Sequence, residues 1–367
     1  MIQQLWARFT DKLDPFLFAI VTAIAALGLL VLYSAANETM GRVVSQSQKV
    51  VIAVGIMIAI ANLSPQFIAR FGVPLYVLGI VLLLGVAVGG EMVKGARRWL
   101  KIPGVGNIQP SEIMKIALPL ILAWYFERHE GSMNWKNFAV AATLVALPFL
   151  LVYRQPDLGT ALLIGASGFF VLYLAGLDWR IIFGGAILVG LAFWGAWEFN
   201  LLHDYQKERV INFINPQEDA QDAGWHTVQA AIAIGSGGIL GKGWLNGTQT
   251  HLEFLPEKHT DFIFAVYGEE FGLVGCALLL LLYLLLIGRC FLIAANASTL
   301  FGRLIAGSMT LMFFTYAFVN MGMVSGLLPV VGVPLPFISF GGTALMTLFI
   351  AAGILMSVQA HRKLVNS

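Results

Sequence analysis

The run FLFAIVTAIAALGLLVLYS, residues 16–34, carries no charge and is long enough to cross the apolar core of a bilayer as one helix. Pro15 stands directly before it, where proline favours the first turn of a helix. Similar runs recur along the chain, which is 58% hydrophobic and only 11% charged, whereas soluble domains are roughly 25% charged. The sequence therefore predicts an all-α polytopic membrane protein.

Apolar runs of this kind predict about ten transmembrane helices. They cover residues 16–34, 50–63, 73–88, 111–126, 138–153, 161–177, 181–199, 273–292, 304–328 and 344–358. Together they form a single membrane domain over residues 1–367. A polar section at 200–261 separates spans seven and eight and is longer than an ordinary connection. Within it, the glycine-rich segment 229–239 either dips into the membrane or lies on it.

The charges predict how the chain lies in the membrane. Ten spans place both termini on one side, and the Lys and Arg residues of the short loops favour the cytoplasm for that side. Section 200–261 is then a large extracytoplasmic loop. The outer side also has a surplus of basic residues, which suggests an anionic ligand there.

Two polar clusters on the predicted outer side contain cations. In residues 94–99, KGARRW, either the loop is solvated with Trp99 at the interface, or Arg98 grips a phosphate. In residues 109–115, QPSEIMK, Glu112 and Lys115 are three apart and share a helix face. Either they form an internal ion pair that holds two helices together, or Lys115 near the helix N-terminus binds a diphosphate.

A third cluster, QPDLGT at residues 155–160, contains Asp157. This carboxylate either only caps the next helix or joins the other clusters at the same membrane surface. The fourth cluster begins with GSGG at residues 235–238 and continues to Lys242. It is not a phosphate-binding P-loop, because no strand precedes it and the spacing before Lys242 is wrong.

The fourth cluster ends in PEKHTDFIF, residues 256–264, where Asp261 is followed by apolar residues. Desolvation is expected to raise the pKa of Asp261, which would make it a proton acceptor near neutral pH. Glu269 and Glu270 are alternatives for that role. Glu257, Lys258 and His259, just before Asp261, can alternatively be read as a solvated run of charges. The later segment PLPFISFGG, residues 334–342, is either the start of a broken helix or a wall of the cavity.

Several classes of protein do not fit the sequence. A net charge of +2 without a basic tract gives no indication of nucleic-acid binding. The chain has no HExxH, CxxC or GxSxG motif. Its histidines lack metal-ligand spacing, so we do not expect a structural metal.

The motifs together resemble the SEDS family (shape, elongation, division and sporulation) over nearly the whole chain. The resemblance lies in KGARRW at 94–99, QPSE at 109–112, QPDLGT at 155–160, GSGG at 235–238, PEKHTDFIF at 256–264 and PLPFISFGG at 334–342. The short N-terminus and the stretch HDYQKER at 203–209 are more similar to the rod-shape branch than to the division branch.

The resemblance implies a peptidoglycan glycosyltransferase of the bacterial inner membrane, active in cell elongation and cell shape. Its substrate would be lipid II, a disaccharide-pentapeptide on undecaprenyl diphosphate. Its implied partners are a class B penicillin-binding protein and other membrane proteins of the elongation complex.

The resemblance also implies roles for individual residues. Asp261 would be the general base of an inverting sugar transfer. Lys115, Arg98 and Lys242 would hold the diphosphate, and Glu112 would orient Lys115. No cofactor is certain, and Asp157 would either shape the cavity or assist a divalent cation such as Mg²⁺. The other candidate substrate-binding residues are Trp99, Gln109, Lys258, His259 and Ser339.

Two other functions compete with this hypothesis. A lipid flippase or other transporter would place its charges near the bilayer midplane. A non-catalytic scaffold for cell-wall enzymes would tolerate replacement of Asp261 and Lys115. Because the charges cluster at loop–helix junctions on one side, the sequence favours the enzyme.

Overall fold

The computed structural model describes residues 12–93, 96–102, 106–131, 134–200, 207, 223–251 and 257–362. The elements before the long polar section are α1 (Pro15–Ala35), α2 (Met40–Ala61), α3 (Pro65–Arg70), α4 (Gly72–Gly89), β1 (Glu91–Val93), β2 (Ala96–Ile102), β3 (Gly106–Ile108), α5 (Pro110–Arg128), α6 (Trp135–Tyr153), α7 (Leu158–Leu174) and α8 (Trp179–Glu198). Those that follow are α9 (Ala223–Ser236), α10 (Thr248–His251), α11 (Ile263–Ala295), α12 (Leu300–Val324) and α13 (Thr343–Ala360).

The described helices match the ten predicted spans. Eight of them are long and apolar enough to cross a membrane: α1, α2, α4, α6, α8, α11, α12 and α13. The apolar helix α7 has 17 residues, and α5 carries charges in its first and last turns. The predicted all-α membrane fold is confirmed.

Local sequence signals set where several helices begin. The side chain of Asp14 accepts a hydrogen bond from the backbone nitrogen of Leu17 at 2.8 Å, and Pro15 occupies the first turn of α1. Asp157 caps α7, and Asp178 caps α8, in the same way. These carboxylates satisfy backbone donors that have no partner inside the helix.

Two helices begin about ten residues before the apolar runs that predicted them. α2 starts at Met40 rather than at residue 50, and α11 starts at Ile263 rather than at residue 273. The extra turns of α2 are mostly polar, and those of α11 contain Glu269 and Glu270 beside two glycines, so a search for uncharged apolar runs misses them. α11 is kinked at Gly272, whose φ of 63° and ψ of −163° are not helical.

The strands on either side of and within the cluster at 94–99 form small antiparallel pairings in the order β1-β2-β3. The Cα partners are Glu91 with Trp99 between β1 and β2, and Leu100 with Ile108 between β2 and β3. Lys94 and the stretch 203–209, apart from Lys207, lie outside the described residues. β2 carries Arg98 and Trp99 and packs against α4 and α5.

The centre of the bundle is formed by α5 and α12, most of whose residues are buried. α2 packs along α13, α4 along α5, and α11 along α12. No residue of α8 is buried. α9 packs against α11 and α12 with Ala230 and Ala233 fully buried, so part of segment 229–239 lies against the membrane helices. Whether this segment enters the membrane stays a prediction.

Candidate functional site

The first group of predicted residues forms a buried ion pair at the start of α5. The ammonium of Lys115 donates to Oε1 of Glu112 at 2.7 Å and to the hydroxyl of Tyr316 on α12. Lys115 is 2% exposed and Glu112 is 6% exposed. The internal ion pair, one of the two interpretations of this motif, is therefore confirmed. The two hydrogen bonds use two of the three ammonium protons.

Glu112 also lines a groove of about 700 Å³ between α5 and α13. Its polar residues lie toward the end of the bundle at which α5 begins, and apolar residues continue along the two helices. The lining residues are Lys49, Leu75, Trp99, Ile108, Gln109, Glu112, Ile113, Ile116, Gly342, Thr343, Met346, Thr347 and Ile350. Of the predicted substrate-binding residues, the structure brings Trp99, Gln109 and Glu112 together here.

Lys49 on α2 is a groove residue to which the sequence assigned no role. Its ammonium lies 4.4 Å from the centre of the Phe340 ring, a cation–π contact. One turn earlier, Gln46 is 2% exposed and donates to the carbonyl of Ser339 at 3.3 Å. Lys49 thus lies on a helix face that is fixed against the segment before α13. The extra turns of α2 place it there.

The backbone around Asp261 is held by the segment between α12 and α13. The Ser339 hydroxyl donates to the carbonyl of Thr260 at 2.6 Å, and it accepts from the backbone nitrogen of Leu335 at 2.7 Å. The backbone nitrogen of Phe340 donates to the carbonyl of His259 at 2.8 Å. Segment 334–342 thus supports the Asp261 loop and reaches the groove at Gly342, which agrees with its interpretation as a cavity wall.

One face of α12 links the ion pair to Asp261. Tyr316 binds Lys115, and Asn320, one turn later, donates to the carbonyl of Asp261 at 2.8 Å. Asn320 also donates to the carbonyl of Val333 at 2.6 Å and is fully buried. Four residues of helix rise about 6 Å, so α12 fixes Lys115 and the Asp261 backbone to adjacent turns. Tyr316 and Asn320 were not identified from the sequence. The signal that could have revealed them is a pair of polar residues four apart in an apolar run.

Two cations, Lys258 and Arg42, lie close to the backbone just before Asp261. Lys258 is 7% exposed and donates to Oδ1 of Asn37 at 3.0 Å. His259 contacts the guanidinium of Arg42 through Nε2. Burial, followed by the charges of Arg42 and Lys258, lowers the pKa of His259 from 6.5 to about 4. His259 is therefore neutral near pH 7 and accepts a hydrogen bond from Arg42.

The sheet and α7 meet through Arg98. Its guanidinium donates to the carbonyl of Pro156 at 2.7 Å, and its Nε lies 3.4 Å from Oδ2 of Asp157. Asp157 also accepts from the backbone nitrogen of Thr160 at 3.2 Å, so its predicted capping role is confirmed. The same carboxylate contacts Arg98, so residues of the first and third predicted clusters meet here.

Asp157 does not suit a divalent cation in the geometry of the described residues. Its carboxylate is already shared between Arg98 and the start of α7. Among those residues, no three His, Cys, Asp or Glu side chains converge as metal ligands. We therefore derive no step through a metal ion.

Lys242 lies in a different environment from the one predicted. Its ammonium binds Oε1 of Glu269 at 2.7 Å and the hydroxyl of Thr248 at 2.7 Å. Glu269 is fully buried, so Lys242 neutralises a carboxylate inside the protein. The glycine-rich loop carries Lys242 onto the kink of α11, where a Cβ on Gly241 would overlap the carbonyl of Glu270. The glycines allow close packing of backbone on backbone.

The fold and site thus define a multi-pass membrane protein with a buried ion pair beside a long groove. A family model described as a cell cycle protein, FtsW/RodA/SpoVE, matches residues 15–364. The chain belongs to this family, which confirms the resemblance drawn from the motifs.

Individual relatives match over almost their full length. The peptidoglycan glycosyltransferase MrdB of Escherichia coli K12 is 48% identical over 98% of this chain and 97% of its own. The peptidoglycan glycosyltransferase RodA of Treponema pallidum is 31% identical over 97% of this chain and 99% of its own.

Solved structures give the same result. A chain from a peptidoglycan synthase complex that coordinates polymerization and crosslinking matches with a TM-score of 0.83 and 31% identity, over 96% of this chain and 99% of its own. The rod shape determining protein RodA of Thermus thermophilus matches with a TM-score of 0.69 and 29% identity, over 95% of this chain and 97% of its own.

Proposed function

We propose that the groove is the active site of a peptidoglycan glycosyltransferase that polymerises lipid II into glycan strands during cell elongation. The activity is that of the full-length relatives, and membership of the family supports it for this chain. The observation that carries the proposal is the shape and chemistry of the groove. Its polar end suits a sugar diphosphate, and its apolar length suits the lipid tail of the same molecule.

The reaction is an inverting transfer of a sugar. The 4-hydroxyl of a lipid II GlcNAc attacks the anomeric carbon of the MurNAc at the end of the growing strand. The bond from that carbon to the diphosphate breaks, and undecaprenyl diphosphate leaves with the electron pair. Asp261 takes the proton of the attacking hydroxyl as general base.

The burial of the three candidate carboxylates favours Asp261 as the base. Asp261 is partly exposed, whereas Glu269 and Glu270 are 0% and 1% exposed. Glu269 is bound by Lys242, and Glu270 accepts from the hydroxyl of Ser34. A base has to reach the hydroxyl that it deprotonates, and a carboxylate enclosed among its own partners does not.

The cations around the groove hold the diphosphate. Lys49 lines the groove, so we assign it the first contact with the phosphates. Lys115 lies behind Glu112 and stabilises the charge that develops as the diphosphate leaves. Arg98, oriented by Asp157, supplies a third cation at the mouth. Lys242 is left out of this set because it lies at the kink of α11, where it binds the buried Glu269 and Thr248.

The depth of the ion pair supports an enzyme over a transporter. Lys115 lies five residues after the start of α5 at Pro110, about 8 Å along a helix that crosses an apolar core of about 30 Å. A transport site is expected nearer the midplane. The charged residues instead lie near one end of the bundle.

The same proposal includes orientation and partner. Both termini lie in the cytoplasm of a bacterial inner-membrane protein, and the groove opens toward the periplasm. The partner is a single-span class B penicillin-binding protein that cross-links the strands. The similarity to a chain from a peptidoglycan synthase complex supports a partner of this kind. Reporter fusions at the C-terminus and within residues 200–261 test the orientation, and co-purification tests the partner.

The test of function is polymerisation of fluorescent lipid II by the purified chain, with and without the transpeptidase. We expect glycan strands from the wild type and none from Asp261→Ala. Glu130→Ala, which removes an exposed carboxylate at the other end of the bundle, is the control and should polymerise normally. Normal polymerisation by Asp261→Ala would sink the assignment.

A further inference from the structure

A second charged pocket lies at the end of the bundle where α1 begins, which we call the N-terminal end. It has a volume of about 330 Å³ and is bounded by the start of α1, the last third of α11 and the end of α13. Its charged lining residues are Lys12, Asp14, Arg289 and Arg362, together with Gln359. Three cations thus surround one carboxylate, at the opposite end of α13 from the groove.

The floor of the pocket is a built ion pair. Arg289 donates from Nε to both carboxylate oxygens of Asp14 at 3.2 Å, and from Nη2 to Oδ2. The side chain of Asp14 is 2% exposed, whereas that of Arg289 is 28% exposed. Asp14 also caps α1 through the nitrogen of Leu17. Both carboxylate oxygens are therefore engaged, and Arg289 lines the pocket with Nη1 outside its contact with Asp14.

The two remaining cations have no carboxylate of their own among the residues that line the pocket. Lys12 donates to the backbone carbonyl of Asn62 at 3.2 Å, which holds its ammonium at the rim. Arg362 follows the last turn of α13, where a cation stabilises the helix C-terminus. Each has a structural contact, but neither positive charge is neutralised inside the pocket.

The pocket lies at the ends of helices that are long and apolar enough to cross a membrane. Arg289 lies six residues before the end of α11 at Ala295, about 9 Å along the helix, in an otherwise apolar stretch. Leu13 and Pro15 line the same pocket. A ligand here would meet cations and apolar side chains together, as a phospholipid does at the boundary between its headgroup and its tails.

We propose that this pocket binds the phosphate of an anionic phospholipid headgroup. Arg289 would donate from its free edge, and Lys12 and Arg362 would close over the phosphate from either side. The competing explanation is that these cations only set the orientation of the chain. That explanation predicts that removing Lys12 or Arg362 changes lipid binding no more than removing another cation at the same end. Arg180, which is exposed and lies outside the pocket, is such a cation.

The test uses the purified full chain in detergent with phosphatidylglycerol or the zwitterionic phosphatidylethanolamine, and native mass spectrometry to count retained lipid. We expect the wild type to retain phosphatidylglycerol. The double variant Lys12→Gln, Arg362→Gln should bind it about 25-fold more weakly, about fivefold for each cation removed. The control Arg180→Gln should bind it like the wild type. Arg289 is left intact because its loss would strand the buried Asp14 carboxylate.

Two outcomes would overturn the proposal: equal retention by the wild type and the double variant, or an equal loss in the Arg180→Gln control. Inorganic phosphate distinguishes the source of the ligand. If inorganic phosphate stabilises the wild type but not the double variant, and phosphatidylglycerol is not retained, the pocket binds a soluble phosphate and the lipid assignment is wrong. Preference for phosphatidylglycerol, without an effect of inorganic phosphate, supports the lipid.

Discussion

Replacing Lys115 by Met should destabilise the protein because it strands the charge of Glu112 inside the bundle. Both residues are almost fully buried, and Oε1 of Glu112 has the Lys115 ammonium as its partner at 2.7 Å. Breaking a buried ion pair by removing one partner costs about 3–5 kcal/mol. With the unfolding entropy per residue of globular proteins, a chain of 367 residues should lose on the order of 5 °C in Tm.

The double variant Glu112→Gln, Lys115→Met separates this cost from catalysis. It removes both charges and keeps similar volumes, so we expect its Tm to return to within about 2 °C of the wild type. Lys115→Met and the double variant should both polymerise lipid II more slowly than the wild type, because the cation behind the diphosphate is missing in each. The assays are thermal unfolding in detergent and polymerisation of labelled lipid II.

Arg128→Met is the matched control, since it removes an exposed cation from the last turn of the same helix. We expect it to change Tm by less than about 2 °C. If Lys115→Met unfolds at the same temperature as Arg128→Met, the pair is not an enclosed charge pair and the reasoning is refuted. If the double variant recovers both stability and polymerisation, Lys115 has no role in the reaction.

Three further variants test the supports of the site. Asn320→Leu removes two hydrogen bonds, one to the buried carbonyl of Val333 and one to the partly buried carbonyl of Asp261. It should lower the free energy of unfolding by roughly 2–6 kcal/mol and lower turnover about 100-fold by displacing the base. Thermal unfolding and single-turnover kinetics measure the two effects. Gly241→Ala places a Cβ against a carbonyl of α11 at a φ of 81°, so it should lower Tm, whereas Gly235→Ala, with open space around it, should not. The pKa of His259 is lowered from 6.5 to about 4 in the fold, so the neutral form is favoured. Wild-type Tm should therefore fall as pH drops from 6.5 toward 4, and the Tm of His259→Gln should fall less over that range. Parallel curves for the two proteins would contradict this account.

The sequence predicts the membrane helices well because the bilayer imposes one strong requirement. Each span needs about 20 apolar residues and must satisfy its backbone internally, so runs such as residues 16–34 are readable directly. The sequence predicts the helix ends less well where a helix continues beyond its apolar run. The first turns of α2, with Gln46, and the first turns of α11 are helical because they pack against segment 334–342 and the glycine-rich loop. Tertiary contacts of this kind leave no periodic signal.

The candidate site was predictable by residue type but not by pairing. Glu112 and Lys115 were expected to share a face, and they do. Tyr316 and Asn320 were missed because they interrupt a long apolar run only briefly, although polar residues within a span indicate function or packing. The pairing of Lys242 with Glu269 was not predictable, since it depends on the kink in α11 that brings a distant loop onto the helix.

The most direct test of the central claim compares turnover and substrate binding in Asp261→Asn, which keeps the size of the side chain and removes its basicity. The measurement is polymerisation of lipid II by the purified chain with its transpeptidase partner, beside the equilibrium binding of lipid II. The account predicts a rate lowered at least 100-fold with binding within about threefold of the wild type. A variant that polymerises at the wild-type rate would contradict it, since Asp261 would then not be the base.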